Sequence, residues 1–513
     1  LNIVFAFADD WGRYASIYAQ YEGPLSMNHI ISTPNFDRVA KEGAVFRNAF
    51  VPAPSCTPCR SSVLSGQYFW QTGLGAILIG AVWDDQIPSY PLELEKAGYH
   101  IGHTYKVWSP GLTDNAPYGG LRTSHVTGGN NYNRFSHHAT ERAKLIGVEA
   151  AKQELLEEVR VNFNSFIDSR PSDKPFCYWW GPTNTHRTWE QGSGKALWGL
   201  NPDDLEHRLP AFLPDVPEVR EDVCDYLGEC QAVDAGLGVI LQRLEEIGEL
   251  ENTLIVVSGD HGIPGMPRAK CNLYDLGCEV GLAMRWPGHI KPGRVLDDFV
   301  NLMDLAPTFM EAAGVAVPDS MTGRSLMQVL HSDQSGLVDP ERTYVVTGRE
   351  RHVNDAREGD LPYPQRAIRT ENYLYIINFA PDRWPSGDPK GLDDPDTIPP
   401  EYELLKWDTR TAYADLDASP TKAWMIYHRN DVDIRPMFKL GFDKRPYEEL
   451  YDLQKDPNYT NNVANDPEYK ETKENLHEQL MDLLRSQQDP RITDSPCRFE
   501  HSPYAGALQD FQQ

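Results

Sequence analysis

The chain reads as an α/β protein: a large, mostly parallel or mixed sheet covered by helices on both faces, followed by a smaller C-terminal α+β domain. Three observations predict this. Short apolar, β-branched or aromatic runs alternate with longer amphipathic segments. Those runs read as strands buried on both faces of the sheet. Composition shifts near Pro362–Pro364, after which the order changes to a hairpin, an irregular stretch and one long helical pattern.

Taken in order, Asn2–Ala8, His100–Tyr105, Pro175–Gly181, Thr253–Ser258 and Gly281–Trp286 are the expected strands of the main sheet. Thr33 and Pro34 open a helix as N-cap and first helical residue, and Gly43 ends it. A second helix runs from about Val223 to Glu249, with Ala232, Leu237, Ile240, Leu241 and Leu244 at helical spacing. Thr343–Thr347 reads as a further strand, and Ala367–Asn378 alternates like a hairpin. Pro381 to Pro400 is rich in Pro, Asp and Gly, and Asp466–Gln488 reads as a long amphipathic helix. The expected division is a catalytic domain of residues 1–364 and a C-terminal subdomain of 365–513, the latter with a small antiparallel sheet and the terminal helix.

At 513 residues, 40% hydrophobic and 24% charged, the composition is that of an ordinary globular protein. No apolar run approaches the ~18–20 residues of a membrane span. Acidic residues exceed basic ones by 75 − 48 = 27, which argues against nucleic-acid binding. Any anion site must then be a local cationic pocket in a negative field. The sequence opens directly on a strand, without a basic stretch or cleavage site ahead of it. The expectation is a cytoplasmic protein, or an exported one whose signal peptide is absent from this sequence. Eight cysteines are too few for a disulfide scaffold, although Cys224 with Cys230, or Cys271 with Cys278, are spaced to pair.

Chemistry gathers at the predicted strand ends. The first strand ends in Asp9-Asp10, the Thr253 strand in Asp260-His261-Gly262, the Pro175 strand runs into His186, and the His100 strand ends at Lys106. In open α/β sheets, ligands bind at the carboxyl ends of strands. Three carboxylates crowded together raise one another's pKa unless a cation joins them. An oxygen-rich set suits Ca²⁺ or Mg²⁺, and a histidine would also suit Mn²⁺ or Zn²⁺. Taken alone, Asp9-Asp10 is equally a turn or helix cap.

The sharpest local signal is Pro54-Ser55-Cys56-Thr57-Pro58-Cys59-Arg60, leading to Ser65-Gly66. Pro58 fits a first helical turn, so Cys56 stands where a helix N-terminus favours an anion. Arg60, one turn inside, reaches back to the same point. Read as a redox Cys-x-x-Cys, the segment lacks any thioredoxin-like context. Cys56-x-Pro58-x-Arg60 with Ser65-Gly66 resembles the signature of formylglycine-dependent sulfatases of the alkaline-phosphatase-like superfamily, with serine for the usual threonine. The resemblance covers most of the chain. Its layout is most similar to the heparan N-sulfatase (sulfamidase) branch, through Phe46-Arg47-Asn48-Ala49-Phe50, Asp260-x-Gly262-Ile263-Pro264 and Glu449-Leu450-Tyr451-Asp452.

That resemblance implies a sulfuric ester hydrolase acting on a sulfated polysaccharide or its oligosaccharides, cleaving sulfate esters or sulfamates. It implies that a formylglycine-generating or anaerobic sulfatase-maturing enzyme converts Cys56 to formylglycine, whose hydrate attacks sulfur and later expels sulfate. Asp9, Asp10, Asp260 and His261, with modified Cys56, become the metal ligands, usually of Ca²⁺, with Mg²⁺ or Mn²⁺ as alternatives. Arg60 stabilises the hydrate, Lys106 and Lys270 bind sulfate oxygens, and His186 serves the leaving group. The resemblance also implies a periplasmic or secreted protein. One position departs: many sulfatases carry a histidine two residues after Lys106, where this chain has Trp108. His103 is a candidate replacement, and Trp108 is either a stacking face for sugar or a packed residue. Arg349, Arg351 and His352, basic residues after the Thr343 strand, are further candidates for substrate binding. Two other readings stay open here: a phosphodiesterase or phosphonate monoester hydrolase on the same scaffold, and a non-catalytic relative that binds sulfated glycans.

Overall fold

The computed structural model describes residues 1–112 and 115–506. Its main sheet has seven strands: β1 (Asn2–Ala8), β2 (Ala44–Phe50), β3 (His100–Tyr105), β4 (Phe176–Gly181), β5 (Thr253–Gly259), β6 (Leu282–Arg285) and β7 (Arg294–Asn301). They lie in the order β3-β4-β1-β5-β6-β2-β7. β6 runs antiparallel to both its neighbours, and the other pairings are parallel. The fold is therefore the mixed α/β sheet expected from the apolar runs.

The uniform hydrophobicity of β1 has a direct cause. Val4, Ala6 and Ala8 face one buried cluster, and Ile3, Phe5 and Phe7 face another. Helices cover both faces, so neither set meets water. The helix Pro34–Glu42 begins and ends as expected, with Gly43 beyond it, but the Thr33 hydroxyl bonds Ser16 and offers no cap to the helix. The long helix spans Pro217–Glu246, starting earlier than its apolar spacing indicates because Pro217 occupies its first turn.

A second, antiparallel sheet contains β8 (Tyr344–Arg349), β9 (Gln365–Thr370), β10 (Tyr373–Asn378) and β11 (Glu448–Asp452), in the order β11-β10-β9-β8. The helix Lys470–Ser486 covers it through Leu476, Leu480 and Leu484. All eight cysteines are free thiols, so neither spacing-based pair forms a disulfide.

Candidate active site

Strand register assembles the site. β1 and β5 pair with Ala8 beside Gly259, so the next residues, Asp9 and Asp260, emerge side by side. β3 and β4 pair with Tyr105 beside Gly181, which brings Lys106 to the same edge. The Asp9 N–H donates to Pro182 O at 2.9 Å, and the Asp260 N–H to Ala8 O at 3.2 Å. Asp10 turns into the left-handed region at φ 53°, an uncommon conformation that its surroundings must hold. Tyr226 does so, donating to Asp10 O at 2.8 Å while accepting from Gly12 N at 2.9 Å. Behind His261, a Cβ on Gly262 would meet Leu276 O at 1.7 Å, so only glycine allows that close backbone approach.

From β2 the chain passes to the helix Cys56–Ser65, which starts with Cys56 at its first position and is buried along its whole length. Arg60, fully buried, donates from Nε to Asp260 Oδ2 at 2.8 Å and from Nη2 to Asp9 Oδ1 at 3.3 Å. Its Nη1 donates to the carbonyls of Lys106 and Val107 at 3.3 and 3.2 Å. Lys106 Nζ donates to both Asp9 oxygens at 2.8 Å, and Lys270 Nζ to Asp10 Oδ2 at 3.0 Å. Burial works against ionising Asp9, but Lys106 and Arg60 hold its carboxyl well below the usual range. Burial raises Asp260, whose neighbour Asp9 adds to the effect, against His261 and Arg60. Burial would lower Lys270, yet Asp10 and Asp417 hold it well above the usual lysine value.

The Cys56 Sγ lies 3.4 Å from His261 Nε2 and 3.9 Å from Asp10 Oδ1. Burial, and then Asp9, push its thiol well above the ordinary cysteine range. As a thiol it is neutral at physiological pH and a weak nucleophile.

Ligand atoms of Asp9, Cys56, Asp260 and His261 all lie within 4.8 Å of one another and are buried. His261 Nδ1 faces Gly262 O at 3.2 Å, so a neutral ring carrying its proton there turns a bare lone pair inward from Nε2. That atom sits 3.1 Å from Asp10 Oδ1 and 3.4 Å from Asp260 Oδ1. Lone pairs facing one another at such distances repel unless a proton or a cation stands between them. The donor set of carboxylate oxygens and one imidazole fits a divalent metal.

His186 is held by Nδ1 donating to Arg187 O at 2.6 Å, and its charge, when protonated, acts on both Asp9 and Asp417. Arg187 beside it forms a two-pronged ion pair with Asp222 at 2.7 and 3.0 Å. Asp222 also accepts from Thr421 Oγ1 at 2.7 Å, tying the His186 loop to the loop that carries Asp417. Glu229, buried, accepts from Asn184 Nδ2 at 2.9 Å two residues before His186.

The five outlying candidates are elsewhere engaged. Trp108 is 1% exposed, packs edge-on to Trp83 and donates to Ser61 Oγ at 2.8 Å, so it presents no face for a sugar. His103 bonds Thr123 Oγ1 at 3.1 Å, and burial lowers it to about 3. Arg349 pairs with Asp415 at 2.5 Å. Arg351 donates to the carbonyls of Ile79 and Gly506. His352 Nδ1 meets Ser55 Oγ at 2.8 Å, directly before Cys56, and burial lowers its pKa to about 3. All five are at least nine-tenths buried. Their types marked them as basic or aromatic, but exposure is decided by packing.

Asp417 went unread in the sequence. Its Oδ2 stands 3.2 Å from Lys270 Nζ, and it lies beyond the Pro- and Asp-rich stretch in a short loop before the helix Pro420–Tyr427. No local motif announces it.

Acids, a histidine, lysines and a helix-borne cysteine gathered at the carboxyl edge of a mixed α/β sheet are the arrangement of a hydrolase of the alkaline-phosphatase-like class. The chain belongs to the sulfatase family: the sulfatase family model matches residues 1–315, and the model described as N-sulphoglucosamine sulphohydrolase, C-terminal, matches residues 267–385. Its enzyme class is that of the sulfuric ester hydrolases. It is 26% identical to human N-sulphoglucosamine sulphohydrolase, over 96% of this chain and 91% of that protein. It is likewise 26% identical to an ulvan-active sulfatase of Formosa agariphila, over 95% of this chain and 80% of the relative. The fold is shared with the phosphonate monoester hydrolase of Agrobacterium radiobacter at TM-score 0.62 and 17% identity, covering 95% of this chain and 96% of that one. Architecture alone therefore does not choose between sulfur and phosphorus. The family match does.

Proposed function

We propose that the protein removes sulfate from a sulfated carbohydrate, a polysaccharide or its oligosaccharides, through a formylglycine made from Cys56. The observation that carries this reading is the convergence of Asp9, Cys56, Asp260 and His261 within 4.8 Å, in a pocket that also holds Arg60, Lys106 and Lys270. The relatives' names support the substrate class, since one is a sulphoglucosamine sulphohydrolase and another acts on ulvan.

In this reading Asp9, Asp10, Asp260 and His261, with Cys56 in its modified form, hold Ca²⁺, favoured over Mg²⁺ or Mn²⁺ by an oxygen-rich donor set. When bound, the metal neutralises the crowded carboxylates and supplies Lewis acidity at the sulfate oxygens. The formylglycine hydrate supplies the attacking oxygen and a built-in route for release. Arg60 orients the residue at position 56 through its shared carboxylates. Lys106 and Lys270 trade part of their ion pairing with Asp9 and Asp10 for the sulfate oxygens and offset the charge that builds at bond breaking. His186, its Nδ1 fixed on Arg187 O and the residue partly exposed, keeps Nε2 as the donor of a proton to the departing group.

Within this reading the catalytic domain spans residues 1–364 and lends β8 to the antiparallel sheet of the C-terminal subdomain, 365–513, which contributes the wall carrying Asp417. A formylglycine-generating or anaerobic maturing enzyme is the required partner, and export to the periplasm or beyond is the proposed location. No helix among the described residues is long and apolar enough to cross a membrane.

The test is the mass of the peptide carrying Cys56, from its native host or a co-expressing one. Conversion of cysteine to formylglycine lowers it by about 18 Da. Full sulfatase activity with an unmodified thiol would overturn the mechanism. Sulfate release from a panel of O- and N-sulfated glycans checks the substrate class.

A further inference from the structure

We propose that Asp417 is a specificity-determining residue that accepts a hydrogen bond from an N–H or O–H donor on the sugar, next to the scissile sulfate. The inference rests on the proposed sulfatase reading and extends it to the leaving-group side.

The site has a closed end and an open end. Asp9, Asp10, Cys56, Arg60, Asp260, His261 and Lys270 are at most 3% exposed. Asp417 is not enclosed in this way, its side chain being 19% exposed, and His186 is also partly exposed. A sulfate drawn to the buried cations therefore points its sugar past His186 and Asp417.

Asp417 is held there by construction. Its loop is bolted down by Lys422, which donates from Nζ to Leu416 O at 2.7 Å and Tyr413 O at 3.2 Å. Ser419 Oγ donates to Gly265 O at 2.7 Å, on the segment leading to Lys270. Thr421 is tied to Asp222, and through it to the His186 loop.

A carboxylate in this place is costly for an anionic substrate. It neutralises Lys270, one of the cations that sulfate needs, and repels sulfate directly. A bare repulsive group at the mouth lowers affinity for every sulfate alike. The same group becomes favourable for a substrate that brings a donor to it, because a hydrogen bond to an ionised acceptor is stronger than a neutral one. A partner lacking that donor leaves the carboxylate desolvated and unmatched, which is the asymmetry from which selectivity is made. Two sources provide such a donor: the N–H of a sulfamate itself, or a hydroxyl on the carbon beside a sulfate ester.

The test compares kcat/KM for matched substrates on formylglycine-bearing, Ca²⁺-loaded enzyme, wild type against Asp417→Asn. One pair is N-sulfoglucosamine and its N-methyl analogue. The other is a hexose sulfate and its vicinal deoxy analogue. The expected result is a wild-type preference for the donor-bearing member of one pair that shrinks by about 10- to 100-fold in the variant. Which pair responds identifies the source of the donor. Because the reading is a ratio, a smaller folded or modified fraction of the variant does not affect it. An unchanged ratio in both pairs, with both rates falling together, would reduce Asp417 to a holder of Lys270 and overturn the assignment alone. Modified wild-type enzyme that releases sulfate from no member of either pair, nor from any sulfated glycan, would overturn the proposed function and this inference with it.

Discussion

Arg60 Nε and Asp260 Oδ2 meet at 2.8 Å across 200 residues of sequence, with neither side chain exposed to solvent. The pair joins the helix that begins at Cys56 to the end of β5, which His261 follows, so it sets the spacing between the proposed nucleophile and the proposed metal ligands. Removing one partner of a buried ion pair leaves the other charge uncompensated, at a cost of about 3–5 kcal/mol. Arg60→Ala is expected to lose stability of that order in urea unfolding, and kcat to fall by about a hundredfold or more. A variant of wild-type stability would show that the pair does not organise the site.

The crowded carboxylates predict a metal response that needs no turnover to read. Ca²⁺ at a hundredfold excess over its dissociation constant adds about 2.7 kcal/mol to a folded state that alone binds it. Wild-type melting temperature is therefore expected to rise with Ca²⁺ and fall with chelator, whereas Asp260→Asn flattens both responses. An equal rise in the variant would remove Asp260 from the ligand set.

Burial raises the Glu229 carboxyl to about 7, against hydrogen bonds from Ser136 and Asn184 that lower it. In the unfolded chain the same group ionises near its ordinary value of 4.5. Between those values the folded state binds more protons than the unfolded, so this residue's contribution to stability declines as pH rises from about 4.5 to about 7. Glu229→Gln removes that decline. Across this window the variant is expected to gain up to about 3 kcal/mol relative to wild type, read as the pH dependence of chemical denaturation. Parallel curves would show that the carboxyl titrates normally.

Trp108 is enclosed against Trp83 and bonded to Ser61. Trp108→Phe should cost about 1–3 kcal/mol, since it strips the buried Ser61 hydroxyl of its partner and leaves space in the wall. KM for sulfated sugars is expected to stay within about twofold of wild type, because the indole contributes no binding surface. A large rise in KM with unchanged stability would restore the stacking role.

Much of the main sheet was legible because strands covered on both faces are mostly apolar, β-branched or aromatic, as β1, β4 and β5 are, while β3 carries two histidines and was read from its Ile, Thr and Tyr. β7 was not, since its Asp297 and Asp298 interrupt the run at the sheet edge, where burial is incomplete. β11 escaped as well, because Glu448, Glu449 and Asp452 mask a strand whose carboxylates are satisfied by Tyr375, Tyr451 and Tyr469. In the site, the residues that converge could be read from strand ends, and Cys56 among them from its signature. Trp108, His103 and His352 were drawn by residue type alone, and type does not say which way a side chain is packed.

Local sequence by itself determined the family, the position of the proposed nucleophile and the edge at which the side chains gather, because a motif and a strand end are written in neighbouring residues. Tertiary structure decided what those residues meet. The parallel register of β1 with β5 sets Asp9 beside Asp260, and a loop from beyond residue 400 sets Asp417 against Lys270. Each of these contacts depends on segments well over a hundred residues apart, positioned by the packing of the whole fold. No spacing along the chain records them.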